Sequence, residues 1–244
     1  MANDSYKKIS LIYNDLVRHV DYAGWGWYIV RLIRKFKINT GRVLELASGT
    51  GKLFPHLKIS PANGILTDIS YSMLDQASSV YPKVCCDMTE LPFKGEFDLI
   101  ISCFDSVNHL SGLKKLDANF KEVTRLLNKG GYFLFDIVTE ENSKAYLSSY
   151  SKTRTSGNLK YSQASEYDEL SRTHFNKFLI TEAGAPATSE ENREYIYTEE
   201  EIEITLNTSG LEVVAKFDSF SFEAVDEKSF RIQYITRKKN GIKV

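Results

Sequence analysis

Val43-Leu44-Glu45-Leu46-Ala47-Ser48-Gly49-Thr50-Gly51 is a short apolar run that carries one acid and passes into a turn of small residues. The run reads as a buried strand over 43–46, and the turn after it predicts a helix from about Lys52. A turn built from Ala, Ser and Gly lets a ligand come close to the backbone, because no large side chain stands in its path. Which ligand the turn accepts decides the kind of α/β fold.

Two phosphate-binding patterns can be set against it. A P-loop needs Gly-x-x-x-x-Gly-Lys-Ser/Thr. Gly51-Lys52 is present, but Leu46 stands where the first glycine belongs and Leu53 where the hydroxyl belongs. A dinucleotide turn needs Gly-x-Gly-x-x-Gly. Ala47, Gly49 and Gly51 lack that spacing, and Lys52 takes the third glycine's place, which weakens this pattern without removing it. Glu45 adds a charge argument. A carboxylate at the strand end attracts an ammonium or ribose hydroxyls and repels phosphate. That points to S-adenosylmethionine (SAM), which has a cationic amino-acid end and no phosphate. A nicotinamide-dependent oxidoreductase on a similar fold stays open as an alternative.

Working outward, strands alternate with helical patterns. The second strand spans 64–67 and ends at Asp68. A short helix follows over 73–80, capped by Ser70 or Ser72. The third strand spans 83–86 and ends at Asp87, and the fourth spans 97–102. Leu113, Leu116, Phe120, Val123, Leu126 and Leu127 make one helical face, which Asn128-Lys129-Gly130-Gly131 stops. The fifth strand spans 132–137. Residues 143–192 are rich in Ser, Thr and Glu and read as antiparallel strands. Thr198 and its three following glutamates open a helix that Gly210 closes, and strands follow at 211–217 and from 230, the last near a sheet edge. The fold class is therefore α/β: a Rossmann-like, doubly wound, mostly parallel seven-stranded sheet with an antiparallel subdomain inserted after the fifth strand. The parts are 1–142 (an aromatic N-terminal helical segment, 5–37, plus the core), 143–195 (the inserted cap) and 196–244 (the last helix and two strands).

The 244 residues suffice for one large domain or a domain with an insertion. A net charge of −1 offers no basic surface for a nucleic-acid backbone. Cys85, Cys86 and Cys103 have neither disulfide-framework nor metal-site spacing, so no metal is expected and a reducing compartment is. The first twelve residues lack a secretory pattern and no apolar run is long enough to span a bilayer, so a cytoplasmic protein without membrane contact is expected.

Glu45, Asp68, Asp87 and Asp105 each fall at or just past a predicted parallel strand's end, so they should meet on one rim of the sheet. With these residues in place, the sequence resembles the class I SAM-dependent methyltransferases. Its matching segments are 43–51, Leu66-Thr67-Asp68-Ile69-Ser70 through Leu74, 86–93, 97–102 and 130–136. In detail it is similar to the small-molecule branch of glycine and amino-sugar N-methyltransferases, with Tyr13 and Asp21-Tyr22-Ala23-Gly24-Trp25 matching that branch's aromatic N-terminal helix.

The resemblance implies a methyl transfer from SAM to nitrogen or oxygen of a small molecule. It implies that Glu45, Ala47, Ser48, Gly49 and Gly51 flank the methionine end of SAM. Asp68 would hold the ribose hydroxyls, with Ile69 packed on the adenine and Asp87 and Met88 in contact with it. Cys103 and Phe104 would floor the site beside the methyl, and Tyr13, Tyr22 and Trp25 would close over it. Ala47 departs from the family's usual glycine, which leaves a non-catalytic SAM-binding module as an alternative.

Position makes Asp105 and His109 the candidate bases, with His174 behind them, although an acid or histidine near a helix start also reads as a cap. Asp68 could likewise cap the helix after Ser70, and Asp87 could be a turn acid ahead of Pro92. Trp25 and Trp27 lie on different helix faces, so at most one meets the ligand. Cys85 and Cys86 read as strand filler and the 199–201 glutamates as a solvated helix start. After the fourth strand the chain reads Ser102-Cys103-Phe104-Asp105-Ser106, without the Asp/Asn-Pro-Pro segment of base-methylating enzymes. The expected partners are a small-molecule acceptor and a second copy of the chain in a homodimer, not nucleic acid.

Overall fold

Two amphipathic helices open the chain in a computed structural model that describes residues 6–146, 148–150 and 153–240. They are α1 (Ile9–Leu16) and α2 (Tyr22–Lys35), and Asp21 caps α2 by accepting from Gly24 N. The predicted helical segment's first residue, Ser5, lies outside the described residues, as do Leu147, Ser151 and Lys152 of the predicted insertion. There follow β1 (Val43–Glu45), β2 (Gly64–Asp68), α3 (Tyr71–Asp75), β3 (Lys83–Cys85), β4 (Phe97–Ser102), α4 (Gly112–Leu126), β5 (Leu127–Val138) and α5 (Glu140–Ala145). Five antiparallel strands come next: β6 (Ser148–Tyr150), β7 (Arg154–Ser156), β8 (Leu159–Asp168), β9 (Thr173–Glu182) and β10 (Thr188–Tyr195). The chain then returns through α6 (Glu199–Thr208), β11 (Leu211–Asp218) and β12 (Arg231–Lys238).

The main sheet has seven strands in the order β11-β12-β5-β4-β1-β2-β3. Its β3-β2-β1-β4-β5 part is parallel, and β12 runs antiparallel to both β5 and β11. Strand order reverses beside β1, which pairs with β2 on one side and β4 on the other. One apolar cluster fills the face under α4 and α6, around Leu44, Phe120, Phe133 and Leu206; a second fills the face under α2, around Ile29, Leu32, Val43 and Ile101. Both faces are thus covered, as continuous apolar parallel strands require. Strands β6 to β10 form a separate sheet, β10-β9-β8-β6 with β7 on β8. Among the described residues no helix is long and apolar enough to cross a membrane.

Two local expectations need correction. The helix expected from Lys52 is a single 3-10 turn, Phe54–Leu57. Pro55 stands in its first turn, Lys58 just after it sits at φ 59, and Ser60 before Pro61 is extended, so too few residues remain for a helix. The helix expected over 73–80 is α3, which starts and ends earlier. Ser70 Oγ caps Met73 N, and Lys83 Nζ takes the carbonyls of Leu74 (2.9 Å) and Ala77 (3.1 Å). The final strand, expected near a sheet edge, lies second from it: β12 is hydrogen-bonded to β11 and β5 and is buried continuously from Ile232 to Thr236.

Candidate active site

At the reversal beside β1, the carboxyl ends of β1, β2 and β4 face the inner side of the second sheet, and a cavity of about 640 Å³ lies between them. All four strand-end acids, Glu45, Asp68, Asp87 and Asp105, line it. So do Tyr13, Tyr22, Trp25, Ala47, Ser48, Gly49, Ile69, Met88, Cys103, Phe104 and His109. Gly51 does not. A Cβ there would sit 2.9 Å from Ala77 Cβ and 3.0 Å from Leu66 Cδ1, so this glycine, at φ 65, serves the packing of the turn against β2 and the residues just past α3.

The first turn is held in a wound conformation, with Ala47 at φ 48 and Gly49 at φ 55. Asp68 ties it to β2: Oδ2 accepts from Gly49 N at 2.7 Å and Oδ1 from Ser70 N at 2.8 Å. Beneath the turn Glu45 is 3% exposed, and its Oε2 is buried without a hydrogen-bond partner. Burial, and then the nearby Asp68 carboxylate, push the Glu45 carboxyl up to about 8. The Ser48 hydroxyl is likewise buried and unpartnered. A buried, unpaired acid opening on a cavity needs a cation or strong donor to complete it. The amino-acid end of SAM carries an ammonium, so these residues fit that group.

At the cavity's β3 end, Asp87 is occupied by its own turn. Oδ1 accepts from Thr89 N (2.8 Å) and Thr89 Oγ1 (2.7 Å), and Lys115 stands 3.7 Å from Oδ2. Burial works against the charge, but the Thr89 bonds and Lys115 keep the carboxyl below its usual range. The turn reading and the cavity position therefore hold together. Cys86 also lines the cavity, and Cys85 is exposed with its thiol directed to the Ile69 carbonyl, so neither is mere strand filler.

Past β4 the backbone takes two consecutive left-handed residues, Phe104 (φ 69) and Asp105 (φ 49). This is uncommon without glycine, and its cause is Asp136 at the end of β5. The fully buried Asp136 carboxylate accepts from Phe104 N (2.8 Å) and Asp105 N (2.9 Å) and pairs with Arg231. Arg231 also bonds Asp105 at 2.6 Å. Trp25 stacks on Phe104 with centroids 5.1 Å apart and lies under the Arg231 guanidinium, whereas Trp27 is 61% exposed. His109 Nδ1 meets the Arg193 carbonyl at 2.8 Å.

The second sheet supplies residues that sequence reasoning missed: Gln163, Asn176, Asn192 and Glu194 line the cavity. Asn176 Nδ2 donates to Glu194 Oε1 at 3.0 Å, and Asn192 Oδ1 is buried without a partner. Their signal in the sequence is only a polar alternation that reads as exposed strand. Asp136 and Arg231 were equally unmarked. His174 does not line the cavity; it is buried beside Tyr167, so its role as a base falls away. The 199–201 glutamates are more than a solvated start, since Glu201 completes a capping box and grips Arg172, and Glu199 bonds Lys216.

Comparison with known proteins agrees with this geometry. Residues 44–135 match the family model described as a methyltransferase domain. The chain is 29% identical over 239 residues to YqeM of Bacillus subtilis, a protein named as a methyltransferase, covering 92% of this chain and 95% of that one. A crystal structure of a SAM-dependent methyltransferase from Clostridium acetobutylicum superposes with a TM-score of 0.81 at 27% identity, over 96% of this chain and 99% of that one. The sugar N-methyltransferase KedS8 from Streptoalloteichus shares the fold, with a TM-score of 0.75 at 16% identity over 95% and 93% of the two chains.

Proposed function

Since this chain is a class I SAM-dependent methyltransferase, we propose that it methylates nitrogen or oxygen of a small polar molecule held between the β4 end of the main sheet and the inner face of the second sheet. One observation carries the reading. A single cavity of about 640 Å³ is lined at once by the strand-end acids and by Gln163, Asn176, Asn192 and Glu194. That volume falls within the range of roughly 300–1,000 Å³ usual for small-ligand sites. Its acid-rich lining and the net charge of −1 disfavour a polyphosphate or nucleic acid.

SAM supplies a methyl group on a sulfonium, a good leaving group, so the protein needs no nucleophile of its own. In this reading Glu45 and the 47–49 turn hold the amino-acid end. Asp68 holds the ribose and keeps the turn closed on it. Asp87, Met88 and Ile69 surround the adenine. Phe104, propped by Asp136 and stacked on Trp25, fixes the floor on which donor and acceptor are aligned. Alignment is the main catalytic contribution available, worth up to roughly 7 kcal/mol or more of the barrier. Aromatic faces near the sulfonium add about 1 kcal/mol of cation–π attraction. The three free cysteines support a reducing, cytoplasmic setting.

The test is calorimetric and then chemical. The protein is expected to bind S-adenosylhomocysteine (SAH) and to pass label from methyl-labelled SAM into a low-molecular-weight metabolite of a cell extract. Tight binding of NADH in place of SAH overturns the assignment of the cavity, and SAH binding without any label transfer overturns turnover in favour of a binding module.

A further inference from the structure

Three side chains that can take a proton or a cation converge at the acceptor end of the cavity from the two sheets. Asp105 follows β4, His109 ends the short 106–109 turn, and Glu194 lies on β10 of the second sheet. Their ligating atoms all lie within 4.8 Å of one another, and all three residues line the cavity. We propose that this trio seats the nitrogen of an amine acceptor and that Glu194 is the group that removes its proton. This rests on the methyltransferase reading of the cavity and specifies the acceptor class.

The arrangement of donors and acceptors supports a cation with N–H bonds. His109 Nδ1 faces the Arg193 carbonyl, an acceptor, so this nitrogen is the donor and a neutral ring carries its lone pair on Nε2. Asp105 is anchored by Arg231, and Glu194 is held at one oxygen by Asn176. At this end of the cavity Arg231 is set against three acids, Asp136, Asp105 and Glu194, which favours a further positive charge beside them. The buried, unpartnered Oδ1 of Asn192, two residues from Glu194 on the same strand face, offers an additional acceptor.

The spacing of the trio admits an ammonium. Three acceptors about 2.8 Å from a tetrahedral nitrogen lie about 4.6 Å apart. Ligand atoms about 2.1 Å from a metal lie roughly 3–3.4 Å apart. The atoms here lie within 4.8 Å of one another, which leaves room for the first. Arg231 on Asp105 also stands against a dication. Burial, and next the Asp105 charge, raise the Glu194 carboxyl well above the ordinary carboxylate range, which brings its proton affinity nearer to that of an amine.

The proton balance closes within the site. The acceptor enters as an ammonium, and one N–H proton passes to the Glu194 carboxylate, which leaves a nitrogen lone pair. That lone pair forms the N–CH3 bond as the electron pair of the C–S bond stays on sulfur. SAH and a methylated ammonium result, and the proton on Glu194 returns to solvent when they leave.

Sinefungin tests this without knowledge of the acceptor, because it carries an amine where SAM carries its methyl group. By calorimetry the wild-type protein is expected to bind sinefungin at least tenfold more tightly than SAH. Glu194→Gln should cut that preference at least fivefold and leave SAH affinity unchanged, while Glu194→Asp, which retains the charge, should keep part of it. An unchanged preference in E194Q, with SAH bound normally, overturns the proposal. So does stoichiometric Mn2+ or Zn2+ binding that E194Q abolishes, which would make the trio a metal site. Failure of the wild-type protein to bind SAH would instead sink the reading of the cavity. Retained thermal unfolding of both variants separates these outcomes from misfolding.

Discussion

In the proposed reading, Glu45 couples cofactor binding to pH through a single buried proton. Its folded value of about 8 lies above its ordinary value of 4.5, so between the two the folded ligand-free protein holds a proton that the unfolded chain releases. The stabilisation is complete below about pH 4.5 and is lost as pH rises through 8. Urea melts at pH 5 and pH 8 should therefore show a larger loss in the wild-type protein than in Glu45→Gln, and equal losses would contradict the assignment. SAH affinity should rise over the same interval in the wild type only, since an ammonium requires the ionised acid. Asp68 clasps Gly49 and Ser70, and in the proposed reading it also holds the ribose. Asp68→Ala should weaken SAH binding by at least tenfold, about 1.4 kcal/mol; an unaltered calorimetric Kd in the folded variant would refute the ribose role. At this scale the strand-end acids were legible, because a strand that ends on an acid at the sheet's carboxyl rim is a local pattern. Gly51 stands off the cavity; a glycine required by packing and one required by a ligand look alike in sequence. Arg231, 95 residues from Asp136 and 126 from Asp105, is joined to them only by the folded sheet.

Elements read well where their ends carry their own signals. Thr198 and Glu201 form the capping box that the Thr-Glu-Glu-Glu stretch announces, with Glu201 N to Thr198 Oγ1 at 3.1 Å and Thr198 N to Glu201 Oε2 at 2.8 Å. Thr198→Ala should cost about 1 kcal/mol, seen as a fall in Tm of roughly 2–4 °C for a chain of this size. Glu201 also binds both guanidinium nitrogens of Arg172, at 2.6 and 2.9 Å, on the hairpin between β8 and β9. The helix start is thus a joint between the two sheets, and a loss well above 2 kcal/mol in T198A would mean that the joint fails along with the cap. The 3-10 turn after the first loop shows the opposite case. Its apolar residues Leu53, Phe54 and Leu57 are buried as a helix face would be, but the two prolines override the pattern. The continuous burial of β12 is hidden for a related reason: Gln233 and Thr236 are fully buried polar residues, each donating to a carbonyl of β5, and polar residues in a strand read as solvent-facing.

Over the whole molecule α1 joins parts that a linear division of the chain separates. Its apolar residues Ile9 and Ile12 pack with Leu159, Tyr161, Phe178 and Ile180 of the second sheet, and with Met73 of α3. The Glu190 carboxylate on β10 takes the backbone amides of Lys8 (2.9 Å) and Ile9 (3.0 Å), placing negative charge at the helix N-terminus. Tyr161 donates to Asp15 at 2.6 Å. On its other side α1 reaches the first turn: Thr50 Oγ1 bonds Asn14 Oδ1 at 3.3 Å, and the Tyr13 ring lies 3.8 Å from where a Gly49 Cβ would stand. A helix of eight residues is marginal by itself, so these docked contacts rather than propensity hold it in place. Anything that tightens the first turn should then order α1, and through α1 the second sheet. SAH is expected to slow amide exchange in residues 9–16 and in β8 to β10 together. Glu190→Ala removes the N-terminal anchor at a cost of about 0.5–2 kcal/mol, so α1 amides should exchange roughly 2- to 30-fold faster. SAH should dissociate faster from this variant as well, while exchange in β4 and β5 stays as it was. Unchanged α1 exchange in E190A would show that the apolar contacts alone seat the helix, and the link between cofactor site and second sheet would then have to run through the β4 loop and Arg231.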